Sequence, residues 1–512
     1  MYLLQHVSQH PVLYPCVGAV LVLVVSLLAT RYRRGLRQVP GPFCASFTGF
    51  WKSYVSWVGN YEKVIRELHN RHGPYVRIGP NTVSIGDPNA LAVIYGINKG
   101  YNKTELLRTN MMVYKGQRLP NLFAISNEAE HAALKRPVAH AYSNSALTDL
   151  EDYIDKCNDI LVRRLDEVSR HGEQPVDMAN WLQYYAFDVI GEITFSKPFG
   201  FLEQGSDIEH ILDNIHDSMV YNSLVGHIPG LHELLRGNPL LKYIMPNSKR
   251  SDYITDFTLK RISERETANV KRQDLMGRLF AVQHQDPSKM PLEHILSHTT
   301  TNVFAGSDTT AIALRALVYY LCRNPAVYEK LEKEVQTAES NGELSRIATF
   351  AETQRLPYFQ AFLKEVMRCF PPTGIILERR VPAAGLDLDG GRIHLPAGTI
   401  VGISAWVIHY DKDIFGADAE DFRPERWLEA STEQRKRMEK FWFTFGSGSR
   451  TCIGKNVALM EMNKVFLHLI RNFRVALADP EIGWTTHTTT VVKQSNLICR
   501  LTPKAHLLPA EP

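Results

Sequence analysis

The sequence has little net charge and no paired-cysteine pattern. Its 512 residues carry 58 Lys and Arg against 54 Asp and Glu, a formal net charge of +4, so the composition gives no indication of a nucleic-acid partner. The seven cysteines are an odd number without a CxxC pair, which excludes a zinc-ribbon site and a disulfide scaffold. Low-complexity segments, linkers and repeats are also lacking after the first 50 residues. One large globular domain in a reducing compartment is therefore predicted.

A run without charged residues lies near the N-terminus, from Val12 to Ala29. As a helix it would be about 27 Å long, close to the thickness of a bilayer core. Four arginines follow within eight residues of the run, and the positive-inside rule then predicts a cytosolic domain; they are Arg31, Arg33, Arg34 and Arg37. A cleaved signal peptide is the alternative, but its basic residues would precede the apolar run. The run predicts a membrane anchor.

These features divide the chain into three parts. Residues 1–34 are predicted to form the anchor. Residues 35–50 contain Pro40-Gly41-Pro42 and are predicted to form a hinge, because proline and glycine break helices. Residues 51–512 are predicted to form the cytosolic domain.

The middle of the chain has a helical pattern. The longest predicted helix runs from Pro291 to Asn324, Pro325 begins a second helix, and a third extends from about Arg355 to Phe370. Strand patterns with glycine-rich turns are expected only afterwards, from Ile375 to Ser404. The predicted fold class is therefore mainly α with a small β region, an α+β domain.

Cys452 lies in a glycine-rich loop, residues 445–454, that leads into an amphipathic helix from about Asn456 to Ile470. The helix dipole and the neighbouring Arg450 favour a thiolate, which is a strong metal ligand. A buried structural cysteine and a phosphate loop are the alternatives. The phosphate loop fails because Ser449 and Asn456 occupy positions that its motif reserves for Gly and for Ser or Thr.

The same loop matches the signature F-G-x-G-x-R-x-C-x-G at all of its fixed positions, and on this basis the chain resembles the cytochrome P450 family of haem-thiolate monooxygenases. Further family motifs follow in the same order: Ala305-Gly306-Ser307-Asp308-Thr309-Thr310, Glu365-Val366-Met367-Arg368 and Phe422-Arg423-Pro424-Glu425-Arg426-Trp427. The resemblance covers nearly the whole chain. With its predicted transmembrane helix, the chain resembles the microsomal fungal members of the pisatin demethylase type, which modify secondary metabolites.

The resemblance implies haem b as cofactor, with Cys452 as the axial thiolate ligand of its iron. Phe445 and Arg450 would contact the haem, Arg450 through a propionate. Arg379 is a second propionate ligand, with Arg380 as the alternative. The family's W-x-x-x-R pattern is altered here, because its best match has His131 and Lys135 at the two fixed positions, and Arg136 is an alternative to Lys135.

On the distal side, the resemblance makes Ala305 and Gly306 the surface that faces the haem. Thr309 would be the hydroxyl that assists oxygen activation, and Asp308 the acid that supplies protons. The alternative for the threonine is a hydroxyl that bonds back to a carbonyl one turn earlier. A further implied feature is structural: Glu365 and Arg368 would form a buried triad with Arg426 that fixes the cysteine loop.

The implied reaction uses O2 and electrons from NADPH, delivered by a diflavin reductase, to hydroxylate, epoxidise or desaturate a lipophilic molecule at the endoplasmic reticulum membrane. Lys455, the 435–437 run and Lys440 are candidate docking residues for the reductase. A haem-binding sensor or carrier without turnover is the alternative; the altered 131 and 135 positions favour it, and the intact Asp308-Thr309 pair opposes it. Four regions would contact the substrate: residues 101–123, the helix near His298 and Asn302, residues 373–377 and residues 488–491.

Overall fold

The computed structural model describes residues 13–33, 35–236, 252–268 and 273–504. Helices dominate this part of the chain. In chain order they are α1 (Leu13–Arg31), α2 (Phe50–Val58), α3 (Tyr61–His72), α4 (Ala90–Tyr95), α5 (Glu128–Lys135), α6 (Asn144–Leu147), α7 (Glu151–Ser169), α8 (Met178–Phe195), α9 (Phe201–Gln204), α10 (Ile211–Val225), α11 (Pro229–Arg236), α12 (Asp252–Ala268), α13 (Leu275–Gln285), α14 (Leu292–Arg323), α15 (Pro325–Ser340), α16 (Phe350–Thr353), α17 (Pro357–Cys369), α18 (Ala405–Ile408), α19 (Lys412–Phe415), α20 (Arg426–Glu429), α21 (Thr432–Phe441) and α22 (Lys455–Asn472).

The strands are short and distributed along the chain. They are β1 (Tyr75–Gly79), β2 (Thr82–Ile85), β3 (Val113–Tyr114), β4 (Gln117–Arg118), β5 (Val176–Asp177), β6 (Arg379–Arg380), β7 (Leu386–Leu388), β8 (Ile393–Leu395), β9 (Ile400–Gly402), β10 (Phe473–Leu477), β11 (Thr485–Thr488), β12 (Val492–Ser495) and β13 (Ile498–Pro503). The predicted fold class, mostly helical with small sheets, is confirmed.

The long helix α14 runs through the middle of the helical core. It has 32 residues, begins directly after Pro291 and ends at Asn324, as the proline and Asn-Pro signals predict. Its most extensive packing is with α8, and it also contacts α15, α17 and α22. These elements supply most of the large hydrophobic core, so α14 is held rigidly on several sides. The predicted helices after Pro325 and before Phe370 are confirmed as α15 and α17.

The expectation that strands occur only after residue 375 is wrong. β1 and β2 form an antiparallel hairpin far earlier in the chain, and β9 pairs with β2 in parallel to give the sheet order β1-β2-β9-β6. All residues of β1 and β2 are buried. Such short buried strands lack the alternation of apolar and polar residues that marks a strand in sequence. The sheet therefore joins residues 75–85 to residues 379–402.

The C-terminal strands return the chain to the end of α17. β10, β13 and β5 form one sheet, and β11 pairs with β12 as a hairpin. A bridge between Thr373 and Val491 attaches the tip of this hairpin to the segment after α17. Two segments that are far apart in sequence therefore lie side by side near the centre of the domain.

The N-terminal helix α1 is joined to the domain at its C-terminal end. Arg77 on β1 donates hydrogen bonds to the carbonyl oxygens of Thr30 and Arg31, each at 2.8 Å. The predicted anchor comprises residues 1–34, of which residues 1–12 and Arg34 lie outside the described part of the chain. Within the described residues, none of the helices has both the length and the apolar character needed to cross a membrane.

Candidate active site

The backbone of the cysteine loop is left-handed at two glycines. Gly446 and Gly448 have φ values of 71° and 67°, a region that side chains disfavour. The N–H of Cys452 donates to Phe445 O at 2.9 Å, and α22 begins three residues further on. The Cys452 side chain is exposed, whereas Cys157, Cys369 and Cys499 are buried. Within this loop and the adjoining core, Cys452 is thus the thiol that a ligand could reach.

The protein surroundings of Cys452, taken alone, favour its neutral thiol. Burial by the surrounding protein raises the pKa of the thiol, while the N–H groups of Gly454 and Lys455 and the charge of Lys135 act in the opposite direction. The helix start does contribute as expected, because both N–H groups belong to it. Their effect is smaller than that of burial. A metal ion at Sγ would supply the remaining stabilisation of the thiolate.

A cluster of cations lies beside the loop. Burial and the charges of Arg379 and Arg450 lower the pKa of Lys103 to about 7, and burial and Arg450 also lower the pKa of Arg379. Arg450 donates to Glu128 at 2.8 Å, and its remaining donors bind the carbonyl oxygens of residues 125–127. Mutually repelling cations near a single carboxylate form a site for additional anions. Lys103 was missed by the sequence analysis because nothing in its neighbourhood marks it.

The structure separates the alternatives for the other expected propionate ligands. Lys135 donates to Ser449 O in the cysteine loop at 2.9 Å, whereas Arg136 is exposed. Arg379 is buried, with its guanidinium 4.8 Å from the ring centre of Tyr95, whereas Arg380 forms an ion pair with Glu105. Lys135 and Arg379 are therefore the better placed members of each pair.

His131, which stands at the position of the family's tryptophan, is buried beside the cation cluster. Burial, together with the charge of Arg450, lowers its pKa to about 4. The ring is therefore neutral at physiological pH. A neutral imidazole can still donate one hydrogen bond to an anion.

The triad of Glu365, Arg368 and Arg426 is fully formed and buried. Arg368 donates to both oxygens of Glu365 at 2.8 and 2.9 Å, and Arg426 donates to Oε1 at 3.3 Å. Trp427 completes the arrangement with an indole N–H bond of 2.9 Å to Oε2. Full pairing of this kind is what buried charges require.

His409 connects the triad to the cysteine loop. Arg368 donates to His409 O at 2.7 Å, and His409 Nδ1 lies 2.9 Å from Arg368 O. The opposite ring nitrogen, Nε2, accepts the N–H of Phe443, just before the loop, at 2.8 Å. Burial lowers the pKa of His409 to about 3, so the neutral tautomer with the proton on Nδ1 fits both bonds. The structural role expected of the triad thus has a defined contact path, and it includes a histidine that the motif does not contain.

The distal face of α14 is open at one residue. Ala305 is exposed although its neighbours on the helix belong to the core. Thr309 is half-buried, and its hydroxyl donates to Ala305 O at 2.8 Å. This is the back-bonding that was the alternative account of the threonine, and it leaves the lone pairs of Oγ1 free to accept a proton donor.

Gly306, which is expected to face the haem, packs closely against α8. A Cβ at this position would lie 2.8 Å from Ile190 Cδ1 on α8. The glycine therefore allows α14 and α8 to approach closely, and the space beside it is filled by Ile190. Asp308, also expected at the distal site, is buried and accepts a hydrogen bond from Gln183 of α8 at 2.7 Å.

Three of the four regions expected to contact a substrate line one cleft, and α10 contributes the rest of its wall. The enclosed part of the cleft is about 10 Å³, roughly the space of one water-sized group. It is lined by Leu106, Leu107, Asn110, Asn222, Ser223, His227, Ile375, Thr489 and Thr490. His298 and Asn302 do not line this cleft.

Comparison with known sequences decides the family. The sequence profile of the cytochrome P450 family matches residues 39–499. The chain belongs to the cytochrome P450 family. It is 37% identical over 490 residues to a cytochrome P450 monooxygenase of Aspergillus terreus, covering 93% of this chain and 98% of the relative.

Two further fungal relatives have similar identity. The cytochrome P450 monooxygenase cicH of Emericella nidulans is 36% identical, with 93% of this chain and 96% of the relative covered. Pisatin demethylase of Fusarium vanettenii is 35% identical, with 90% and 87% covered. The chain is accordingly a P450 monooxygenase that oxygenates a small molecule.

The residues of this P450 fit a haem. Cys452 is an exposed thiol whose anionic form a bound cation would stabilise, and an excess of positive charge lies beside the same loop. The iron of a haem is a cation that a thiolate binds, and its two propionates are anions that the excess of positive charge would attract. The assignment of individual residues to the iron, the propionates and the oxygen chemistry stays a prediction.

Proposed function

We propose that the protein is a membrane-attached haem-thiolate monooxygenase that oxidises a lipophilic fungal secondary metabolite by hydroxylation, epoxidation or desaturation. The single observation that carries this proposal is the exposed Cys452 in the loop between the buried triad and α22, beside the cation cluster. When bound, haem b supplies the redox chemistry that activates O2. Apolar and polar side chains both line the cleft, which in this structure has room for about one water-sized group.

Each residue has a distinct task in this proposal. Cys452 Sγ would bind the iron, and the N–H groups of Gly454 and Lys455 would help to hold the sulfur as a thiolate. Arg450, Arg379, Lys135 and His131 would hold the carboxylates of the cofactor. Thr309 Oγ1 would receive a proton donor at the distal face, and Asp308 would exchange protons there.

Attachment to the endoplasmic reticulum membrane, through residues 1–34 as a single-pass anchor with residues 51–512 in the cytosol, is part of the proposal. Support comes from the uncharged run, the arginines after it, and the exposed apolar side chains of α1, such as Val20 and Leu21. Arg77 also contacts Ser46 O, which brings the exposed aromatic residues Phe43 and Phe50 near the end of α1. Aromatic side chains favour the membrane interface.

The anchor can be tested by deletion. Removing residues 1–30 should release most of the protein from the microsomal pellet after a carbonate wash, while the haem spectrum stays intact, because the deleted residues lie outside the catalytic site. Replacing Phe43 and Phe50 by serine in the full-length chain is the control for interfacial contact. Unchanged membrane insertion after the deletion would refute the anchor.

Electrons are proposed to come from NADPH through a diflavin reductase. Arg435, Lys436, Arg437 and Lys440 are exposed on α21, and Lys455 begins α22 three residues after Cys452. Lys455→Glu should slow reductase-driven reduction of the haem in a salt-dependent manner and leave reduction by dithionite unchanged. Equal reduction rates across a salt series would remove Lys455 from the docking surface.

The central experiment concerns the iron ligand. Cys452→Ser should abolish the red-shifted Soret band of the reduced carbon monoxide complex, because that band requires a thiolate ligand. Cys44→Ser, at another exposed cysteine, is the matched control and should retain the band. Persistence of the band in Cys452→Ser would overturn the assignment. Failure of any reductase to support NADPH-dependent turnover would favour the alternative, a haem-binding sensor or carrier.

A further inference from the structure

A buried chain of three polar side chains ends at Asp308. Gln183 Nε2 on α8 donates to Asp308 Oδ1 at 2.7 Å. Arg315 Nη2 on α14 donates to Gln183 Oε1, also at 2.7 Å. The relative exposure of Asp308, Gln183 and Arg315 is 4%, 2% and 1%. The helix pair that packs most extensively in this fold therefore contains a polar connection at its centre.

The chemistry of the two neighbours fixes the orientation of the Gln183 amide. An ionised carboxylate only accepts hydrogen bonds, and a guanidinium only donates them. Gln183 must therefore direct its NH2 group to Asp308 and its carbonyl to Arg315, and a rotated amide would place like partners against each other. A guanidinium on the carbonyl also polarises the amide, which strengthens its N–H donor.

The amide of Gln183 connects Asp308 to Arg315. They are seven residues apart on α14, about 10 Å along the helix axis, too far for direct contact. Arg315 otherwise donates to Ala179 O at 2.7 and 2.9 Å. Burial lowers its pKa to about 10, so it remains charged at neutral pH. Among the carboxylates of the described residues, Asp308, which Gln183 binds, contributes most to stabilising the charge of Arg315.

We propose that Gln183 and Arg315 are positioning residues that hold the Asp308 carboxylate in one orientation beside Thr309. This inference rests on the proposed function for the use of the proton, but the orientation of Asp308 does not depend on turnover. An amide-bridged partner suits a group that exchanges protons, because it restrains the carboxylate without the strong attraction of a direct salt bridge.

Other charged groups reach Asp308 from the neighbouring elements. Lys493 on β12 feels the charge of Asp308, and burial lowers the pKa of this lysine. His216 on α10 is influenced by Lys493 and more weakly by Asp308, and burial lowers its pKa as well. Arg315 also acts electrostatically on Lys493, so Gln183→Met, which leaves all of these charges unchanged, is the variant whose effects are assigned to the bridge.

The test compares the holoenzyme with four variants. Gln183→Met retains the length of the side chain and removes both hydrogen bonds, and Arg315→Met removes the charge. Arg315→Lys retains the charge and is expected to behave like the wild type. Gln494→Leu is the matched control, because Gln494 is equally buried and donates to Ile312 O of α14 at 2.9 Å without contact to Asp308.

Two measurements report on the orientation of Asp308. The first is the infrared C–O stretch of the reduced carbon monoxide complex, which responds to the electric field at the distal face. It should shift or split in Gln183→Met and Arg315→Met as it does in Asp308→Asn, and stay unchanged in Gln494→Leu. The second is NADPH consumption with a diflavin reductase. Its pH profile should differ from that of the wild type in Gln183→Met, because the hydrogen-bond donor that orients Asp308 is lost, and peroxide per NADPH should rise by roughly tenfold.

The outcomes separate the two proposals. A wild-type C–O band and pH profile in Gln183→Met and Arg315→Met would overturn the positioning role, even with full haem loading. Loss of the thiolate spectrum or of all NADPH consumption in the wild type would instead overturn the proposed function, while the C–O band shift would still support the positioning role in any haem-loaded protein. If Gln183→Met does not fold, the contrast between Arg315→Met and Arg315→Lys decides.

Discussion

At the scale of single residues, Gly448 occupies a position that combines a left-handed backbone with close packing. Its φ is 67°, and an added Cβ would lie 1.8 Å from Tyr95 O at the end of α4. Tyr95 itself is fixed by hydrogen bonds from its hydroxyl to Leu377 O and from Ile403 N–H to that hydroxyl. The backbones of Gly448 and Tyr95 therefore pack directly against each other, with no room for a side chain between them.

Gly448→Ala should destabilise the fold by roughly 3 kcal/mol, from the left-handed backbone and the overlap together, and should reduce haem incorporation because the loop moves. Thermal unfolding and the ratio of haem to protein measure both effects. Gly342→Ala is the matched control, because Gly342 has a φ of 70° and no atom near its added Cβ. Its cost should be about 1–2 kcal/mol with unchanged haem content. Equal effects of the two substitutions would show that the Tyr95 contact is unimportant.

At the scale of elements, α17, α20 and the segment around His409 act as one support for the cysteine loop. Arg368 and Arg426 are buried and both bind the carboxylate of Glu365, and Arg426 also pairs with Asp418. Removing Glu365 takes away the carboxylate that Arg368 binds, which is more costly than the net value of the pair. The triad is therefore most sensitive at the carboxylate.

Glu365→Gln should cost about 3–5 kcal/mol and lower haem retention on heating, because the connection through His409 to Phe443 loosens. The measurements are thermal unfolding and the release of haem with temperature. Lys364 lies next to Glu365 on α17 and pairs with Glu439, with the two side chains 37% and 47% exposed. Lys364→Gln should cost less than about 1 kcal/mol. A Glu365→Gln protein as stable as Lys364→Gln would contradict the role of the triad.

Sequence patterns predicted the long helices better than the strands. α14, α15 and α17 were predicted correctly, because proline and asparagine mark their ends and several turns of periodic residues lie between. β1 and β2 are short and entirely buried, and their pairing with β9 depends on residues more than 300 positions away. Local patterns carry no information about that pairing.

The candidate site was likewise predicted only where its residues lie in sequence motifs. Cys452 and the triad lie in motifs with fixed spacing, and the structure brings the triad together as expected. Lys103, Gln183 and Arg315 belong to no motif, because each acts on a residue that is distant in sequence. The close packing of Gly306 against Ile190 was not predicted, since a helix pattern shows which residues share a face but not what packs against it.

At the scale of the whole molecule, several histidines are buried in neutral form. Burial lowers the pKa of His69 and His298 to about 4 and that of His409 to about 3. An unfolded histidine has a pKa near 6.5. At pH values between the folded and the unfolded pKa, these histidines bind protons in the unfolded chain but not in the folded protein. The stability that these residues contribute is therefore complete above pH 6.5 and is lost as the pH falls toward the folded values.

The free energy of unfolding should accordingly fall by about 1.4 kcal/mol per pH unit for each such histidine between pH 6.5 and its folded pKa. His298 offers the clearest test, because its Nε2 has no hydrogen-bond partner among the described residues, so His298→Leu removes the titration without breaking a bond at that atom. In denaturant titrations from pH 7 to 5, this variant should lose stability less steeply than the wild type by about 1.4 kcal/mol per pH unit. Replacing the exposed His140 by leucine should leave the slope unchanged, and an unaltered slope in His298→Leu would mean that His298 becomes charged without unfolding.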